Sequence, residues 1–188
     1  MSEELYLPVI EGTTRPGRKS LNVAKFLVEI GNAIDGVKTV LVDPTNLNLP
    51  GDGNGEEYKD PQYSKITQEA DGFFVVVPEY NHGYPGTLKR LLDSEMKNYR
   101  HKPVSFAGVS VGPWGGVRGI ENLVPVVREL GLAATFGDIQ FPSVQNIFNS
   151  DGKIEDSKLE ESYVKRANKA WNELIWMAKA LKWGRDNL

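Results

Sequence analysis

The run Phe73-Phe74-Val75-Val76-Val77 carries no polar side chain on either face. A strand with one solvated face would alternate. Five consecutive β-branched or aromatic residues are what a parallel strand needs when helices cover both sides of its sheet. Working outward, residues 5–10, 37–42, 104–111 and about 133–141 form further apolar runs, each with turn signals at its ends. Between the runs the apolar period becomes helical. Val23, Leu27, Ile30 and Ile34 make one stripe, which Gly36 is placed to end. A second helix begins near Pro85 and carries Leu88, Leu91 and Leu92. A third holds Leu123, Val124, Val127 and Leu130 before Gly131, and Pro125 either starts or kinks it. The last runs from about Asp156 to Lys182, with Tyr163, Ala167, Ala170, Leu174, Ala178 and Leu181 on one face.

Five strands alternating with helices predict a doubly wound α/β fold, read here as one domain spanning residues 1–188. Right-handed crossovers place helices on both faces of the parallel sheet. The common five-stranded arrangement is the flavodoxin-like order 2-1-3-4-5, with ligands bound beyond the carboxyl ends of the strands at the switch point. That topology predicts unusual loops after strands one, three and four, and the sequence has them. Residues 43–61, rich in Asn, Gly, Pro and Asp, read as a flexible excursion within the same domain.

The first loop is Gly12-Thr13-Thr14-Arg15-Pro16-Gly17-Arg18-Lys19-Ser20. Its glycines permit tight turning and close approach, its hydroxyls donate, and three cations stand within five residues. Ser20 is placed to cap the following helix, whose first amides favour an anion. A phosphate cradle fits these residues, and so does a solvated basic turn. No dinucleotide or P-loop fingerprint is present. The second loop, Pro78-Glu79-Tyr80-Asn81-His82-Gly83-Tyr84-Pro85-Gly86, is stiff, aromatic and backbone-exposing, which suits a planar heterocycle. It equally suits a structured turn with packed tyrosines, and a loop histidine such as His82 is more often a structural hydrogen-bonder than a base. The third, Ser110-Val111-Gly112-Pro113-Trp114-Gly115-Gly116-Val117-Arg118, puts two glycines at a helix start, where partial positive charge collects. Trp114 can wall a ring or pack in the core, and Arg118 can form a surface or interface ion pair.

Composition narrows the classes further. Twenty-two Lys and Arg against 25 Asp and Glu give a net charge of −3, which argues against a nucleic-acid binder. The absence of cysteine excludes disulfides, a thiol nucleophile and Cys-ligated zinc or iron–sulfur centres. Two histidines, His82 and His101, leave little for a metal site, and none is expected. The acidic start Met-Ser-Glu-Glu and the short first apolar run predict neither a secretory signal nor a membrane span, so a cytoplasmic location is expected.

The chain resembles the NADPH-dependent FMN reductase family, the flavodoxin-like quinone, azo-dye and chromate reductases. The similarity extends over nearly the whole chain. It rests most on Pro78-Glu79-Tyr80-Asn81 continuing into Pro85-Gly86-x-Leu88-Lys89 and Asp93. Gly12-Thr13-x-Arg15 and Ser110-x-Gly112-x-x-Gly115-Gly116-x-Arg118 support it. Arg90-Leu91-Leu92 stands where Asn-Ala-Ile is usual, and Thr13 where Ser is common. Carried over by position, Thr13, Arg15 and Ser20, with Leu21 and Asn22, would bind the FMN phosphate. Pro78, Glu79, Tyr80 and Asn81 would hold the flavin ring and ribityl chain. Ser110, Gly112, Pro113, Trp114 and Gly115 would line the pyrimidine side. The resemblance implies hydride transfer from NADPH (or NADH) to FMN and on to a small-molecule electron acceptor in a ping-pong cycle. No protein nucleophile or strong base is required, so no catalytic side chain is assigned. It also implies a homodimer or homotetramer. Trp176, Ala180 and Trp183 form a second stripe on the last helix, read as part of a subunit contact. The alternative is a non-enzymatic FMN carrier or redox-responsive partner. A hydrolase on the same fold lacks a nucleophile elbow around Ser110.

Overall fold

The computed structural model describes residues 4–53 and 55–188. The first three residues of the acidic start, and Asn54 within the 43–61 excursion, lie outside them. The sheet is built from β1 (Leu5–Tyr6), β2 (Val9–Glu11), β3 (Val37–Lys38), β4 (Leu41–Val42), β5 (Phe73–Pro78), β6 (Lys102–Val109), β7 (Leu132–Ala134) and β8 (Ile139–Phe141). All pairings are parallel, in the order β4-β2-β5-β6-β7, with β1 beside β3 and β8 beside the upper half of β6. The flavodoxin-like class therefore holds.

The strand count needs correction, because three of the five expected strands are each interrupted. Pro8 offers no N–H between β1 and β2. Bonds from Leu7 N to Lys38 O and from Val9 N to Val40 O (both 2.9 Å) carry the pairing across that break. The fifth strand is split by a detour over residues 135–138, so β7 pairs with Val104 and its predecessors while β8 pairs with Ala107 onward.

The central strand behaves as its sequence demands. Phe74 and Val76 of β5 enter one core with Val23, Ala24 and Leu27 of α1 (Ser20–Asn32) and Trp171 of α5 (Ser157–Asn187). Phe73, Val75 and Val77 enter the other, against α2 (Pro61–Glu69), α3 (Gly86–Asp93) and α4 (Val117–Glu129). Helix α2 was absent from the sequence reading because it buries only Tyr63 and Thr67, too few for an apolar stripe. Its signal was local instead. Asp60 accepts from Tyr63 N at 2.9 Å and Pro61 occupies the first turn, a capped helix start.

Other helix limits shift as well. α1 stops at Asn32 rather than continuing through Ile34, and Gly36, at φ 73°, turns the chain into β3. α4 starts at Val117 and runs through Pro125, so the proline sits inside the helix rather than starting it. On α5, Tyr163, Ala167, Ala170, Leu174 and Ala178 are buried as expected, whereas Leu181 is half-buried.

The far end of α5 is clamped to the amino edge of the sheet. Asp71 accepts from Tyr6 N at 3.1 Å, Lys182 Nζ at 3.0 Å and Arg185 NH2 at 3.0 Å. Hydrogen bonds to a charged group of this kind contribute roughly 1.5–3 kcal/mol each, and more if one partner is left buried alone. We expect Asp71→Asn to destabilise the protein by about 2 kcal/mol. Amide hydrogen exchange will accelerate in the last two turns of α5 before the rest of the helix.

Candidate functional site

The three loops meet at the carboxyl edge of the sheet around a cleft of about 590 Å³. Loop one is held by close backbone approach. A Cβ on Gly12 would lie 2.4 Å from Val76 O and 2.8 Å from Pro78 Cδ, so only glycine lets the loop leave β2 beside β5. Thr13 Oγ1 stands 3.1 Å from Tyr80 OH, tying loop one to loop two. The Arg15 guanidinium lies 5.7 Å from the Tyr80 ring centre. The amides of Thr14, Gly17 and Lys19 have no hydrogen-bond partner among the described residues. Free amides, hydroxyls and cations on one loop are the donor set of an anion site.

Ser20 departs from its expected role as a cap. The N-cap position is Lys19, without a side-chain bond, and the Ser20 hydroxyl donates to Glu11 Oε1 at 2.5 Å. Arg18 also turns towards carboxylates, with NH2 2.6 Å from Asp43 and Nε 3.7 Å from Glu11. Burial pushes the Glu11 carboxyl up to about 7, with the Asp43 charge adding to it. Ser20, Arg18 and the Thr13 amide work in the opposite direction.

In loop two the left-handed residues are Asn81 (φ 50°) and His82 (φ 68°), not the two glycines. Tyr80 and Gly83 exchange both backbone bonds around them, a two-residue turn with positive φ at both central positions. Arg118 fixes this turn to α4. Its NH2 lies 2.6 Å from Glu79 Oε1, its NH1 2.7 Å from His82 Nε2, and its guanidinium 6.0 Å from the Trp114 ring centre. Asn122 donates to His82 O at 2.9 Å. His82 is thus a fastening of the loop and does not line the cleft.

Of the residues expected at the site, Arg15, Ser20, Pro78, Glu79, Tyr80, Ser110, Gly112, Pro113 and Trp114 line the cleft. Thr13 is buried beneath it through its Tyr80 contact, and Gly115 packs behind it against Gln140 and Pro142. Leu21 and Asn81 stand outside the lining. Asn22 lines a different cleft, between α1 and α5. The sequence reading missed Val144, which arrives after the turn at Ser143 (φ 47°) and belongs to no motif. It also missed Glu11, whose signal was a charge ending an otherwise apolar strand. Among the described residues, no group of three His, Asp or Glu side chains is placed to hold a metal ion.

A basic loop at a helix start faces an aromatic loop and a glycine loop across the carboxyl edge of a doubly wound sheet. These features define a flavodoxin-like fold with a cleft at its switch point, where folds of this class bind their ligands. The chain belongs to the NADPH-dependent FMN reductase family, whose sequence profile matches residues 7–145. It is 25% identical over 169 residues to an NAD(P)H-dependent FMN reductase of Pseudomonas aeruginosa, covering 86% of this chain and 90% of that one. It is 31% identical to a quinone reductase of Escherichia coli K12, over 63% of this chain and 66% of the other. Among solved structures it resembles the flavoenzyme NAD(P)H:(acceptor) oxidoreductase FerB of Paracoccus denitrificans. That match has a TM-score of 0.74 and 17% identity, over 92% of this chain and 98% of FerB. The chain is accordingly an oxidoreductase that works with FMN and NAD(P)H. No helix among the described residues is long and apolar enough to cross a membrane.

Proposed function

We propose that the cleft holds FMN and that the enzyme passes hydride from NAD(P)H to quinones, azo compounds, free flavin or similar small acceptors by a ping-pong mechanism. The observation that carries this reading is the convergence of loop-one donors, Tyr80 and Trp114 on one cleft. The donor set fits the group. Free amides and Arg15 suit a phosphate, whereas Tyr80, Trp114 and the open amide of Gly112 suit a ring with polar edges. Bound FMN supplies the hydride-accepting and hydride-donating chemistry.

The protein's own part is positional. Thr13, Arg15 and Ser20, beside Leu21 at the start of α1, anchor the phosphate end, whereas Asn22, with its amide on Lys19 O and its side chain in the cleft between α1 and α5, stands apart from it. Pro78, Glu79, Tyr80 and Asn81 hold the ring and ribityl chain. Ser110, Gly112, Pro113, Trp114 and Gly115 bound the pyrimidine edge, where main-chain N–H groups stabilise negative charge. Val111 and Trp114, 69% and 63% exposed, leave an apolar rim for donor and acceptor in turn. The whole chain acts as one domain in the cytoplasm, assembled as a homodimer or homotetramer. Trp176 and Trp183, 69% and 63% exposed on one side of α5, support that assembly.

Initial rates measured against NADPH at several fixed quinone concentrations test the mechanism. Parallel double-reciprocal lines are expected. Lines that intersect would require both substrates at once and end the ping-pong reading.

A further inference from the structure

Glu11 closes β2 on the face that carries Val9, and its side chain is wholly buried where the first loop passes into α1. Oε1 accepts from Ser20 and lies near Arg18, whereas Oε2 has no hydrogen-bond partner among the described residues. Arg18 Nε is likewise without one. One donor that lines the cleft, the Ser20 hydroxyl, is therefore turned onto a buried carboxylate, and a second, Arg18, is bonded to Asp43 with its Nε 3.7 Å from the same carboxylate. The groups facing Glu11 are few. Arg18 and the Thr13 amide come from loop one, Ser20 from α1, and Asp43 from the segment after β4.

A phosphate entering loop one would draw on Ser20, Arg15 and the loop amides, and it brings negative charge beside this carboxylate. Like charges this close in a poorly solvated site cannot both persist without a large penalty. We propose that Glu11 is a positioning residue for the cofactor phosphate, and that FMN binds with Glu11 protonated, so that cofactor uptake carries a proton into the protein. Once neutral, Glu11 releases the Ser20 hydroxyl to turn to the phosphate, while Arg18 stays bonded to Asp43. The carboxyl sits close enough to its own neutral point for this switch to operate near pH 7. Above that pH the carboxylate must be reprotonated on binding, so FMN affinity falls as pH rises. Full coupling gives up to about tenfold per pH unit. The phosphate's own second ionisation, near pH 6, confines the effect to the range above it.

This inference rests on the FMN reading of the cleft, and the test separates the two. Dissociation constants for FMN and for riboflavin, which lacks the phosphate, are measured by flavin fluorescence from pH 7 to 8.5 on the full chain and on Glu11→Gln. For the wild-type chain, the FMN constant should rise about tenfold over this range. The riboflavin constant should stay flat. Glu11→Gln should bind FMN with a flat profile and more tightly than the wild type at pH 8.5. Calorimetry of the wild-type chain in buffers of different ionisation enthalpy gives an independent reading that does not depend on the variant folding. Net proton uptake on FMN binding at pH 8 is expected. A flat wild-type profile without proton uptake, or an unchanged slope in Glu11→Gln, overturns the inference alone. Failure to bind FMN at any pH removes the cofactor reading and the inference with it.

Discussion

Replacing Gly116 with alanine should lower stability by about 3 kcal/mol and weaken FMN binding at least tenfold, the former within the range expected of strained backbone positions. Gly116 caps the start of α4 at φ 84°, a left-handed conformation that side chains adopt only under strain. Strain is the smaller part of the effect. A Cβ there would lie 2.3 Å from Val109 N and 2.6 Å from Gly108 C, both backbone atoms of β6. The strand cannot yield, because β6 is paired to β5 on one side and to β7 and β8 on the other. Loop three must therefore lift away, taking Trp114 and the Gly112 amide with it. A fall in melting temperature of roughly 6–12 °C corresponds to this loss. Gly112→Ala is the control, since a Cβ at Gly112 meets nothing within 4 Å. Its melting temperature should stay within about 2 °C of the wild type. Equal behaviour of the two variants would show that loop three is not seated on β6 as described.

Arg118→Ala should have the second largest effect, through Glu79. The Glu79 side chain is 6% exposed and its Oε2 lacks a hydrogen-bond partner among the described residues, so Arg118 supplies its compensating charge. Breaking a fully buried pair costs about 3–5 kcal/mol. Arg118 is 39% exposed, and solvent screening reduces the expected loss to roughly 1–3 kcal/mol. The turn at Asn81 and His82 loses its tether to α4 at the same time, so FMN affinity should fall about tenfold. A double-mutant cycle with Glu79→Gln isolates the pair. Coupling of 1 kcal/mol or more is expected, at about the scale of neighbouring charged groups. Additive effects would mean that the contact does no holding.

What the sequence disclosed follows from which contacts are local. A strand buried on both faces has only one kind of side chain to use, so Phe73 to Val77 could be read without the structure. The helices that cover one face with regular stripes, such as α5, were legible for the same reason. Helix α2 was not, because its place is fixed by the Asp60 cap and by Tyr63 rather than by a stripe. The split of the fifth strand depends on how residues 135–138 meet β6, a nonlocal matter. At the site, the glycine and aromatic loops were visible as composition. The pairings that orient them were not, because Arg118 with Glu79, Thr13 with Tyr80 and Ser20 with Glu11 join residues from different elements. Ser20 shows the limit well. Its place before a helix predicts a cap, and a buried carboxylate on a neighbouring strand takes its hydroxyl instead.

The most direct test of the central claim is an absorption spectrum of the purified chain after incubation with FMN and desalting, followed by NADPH without oxygen. Retained flavin absorbance that bleaches promptly is the predicted result. Retained flavin that neither NADPH nor NADH bleaches would contradict the reductase reading and leave a flavin carrier. A colourless protein would contradict the assignment of the cleft itself.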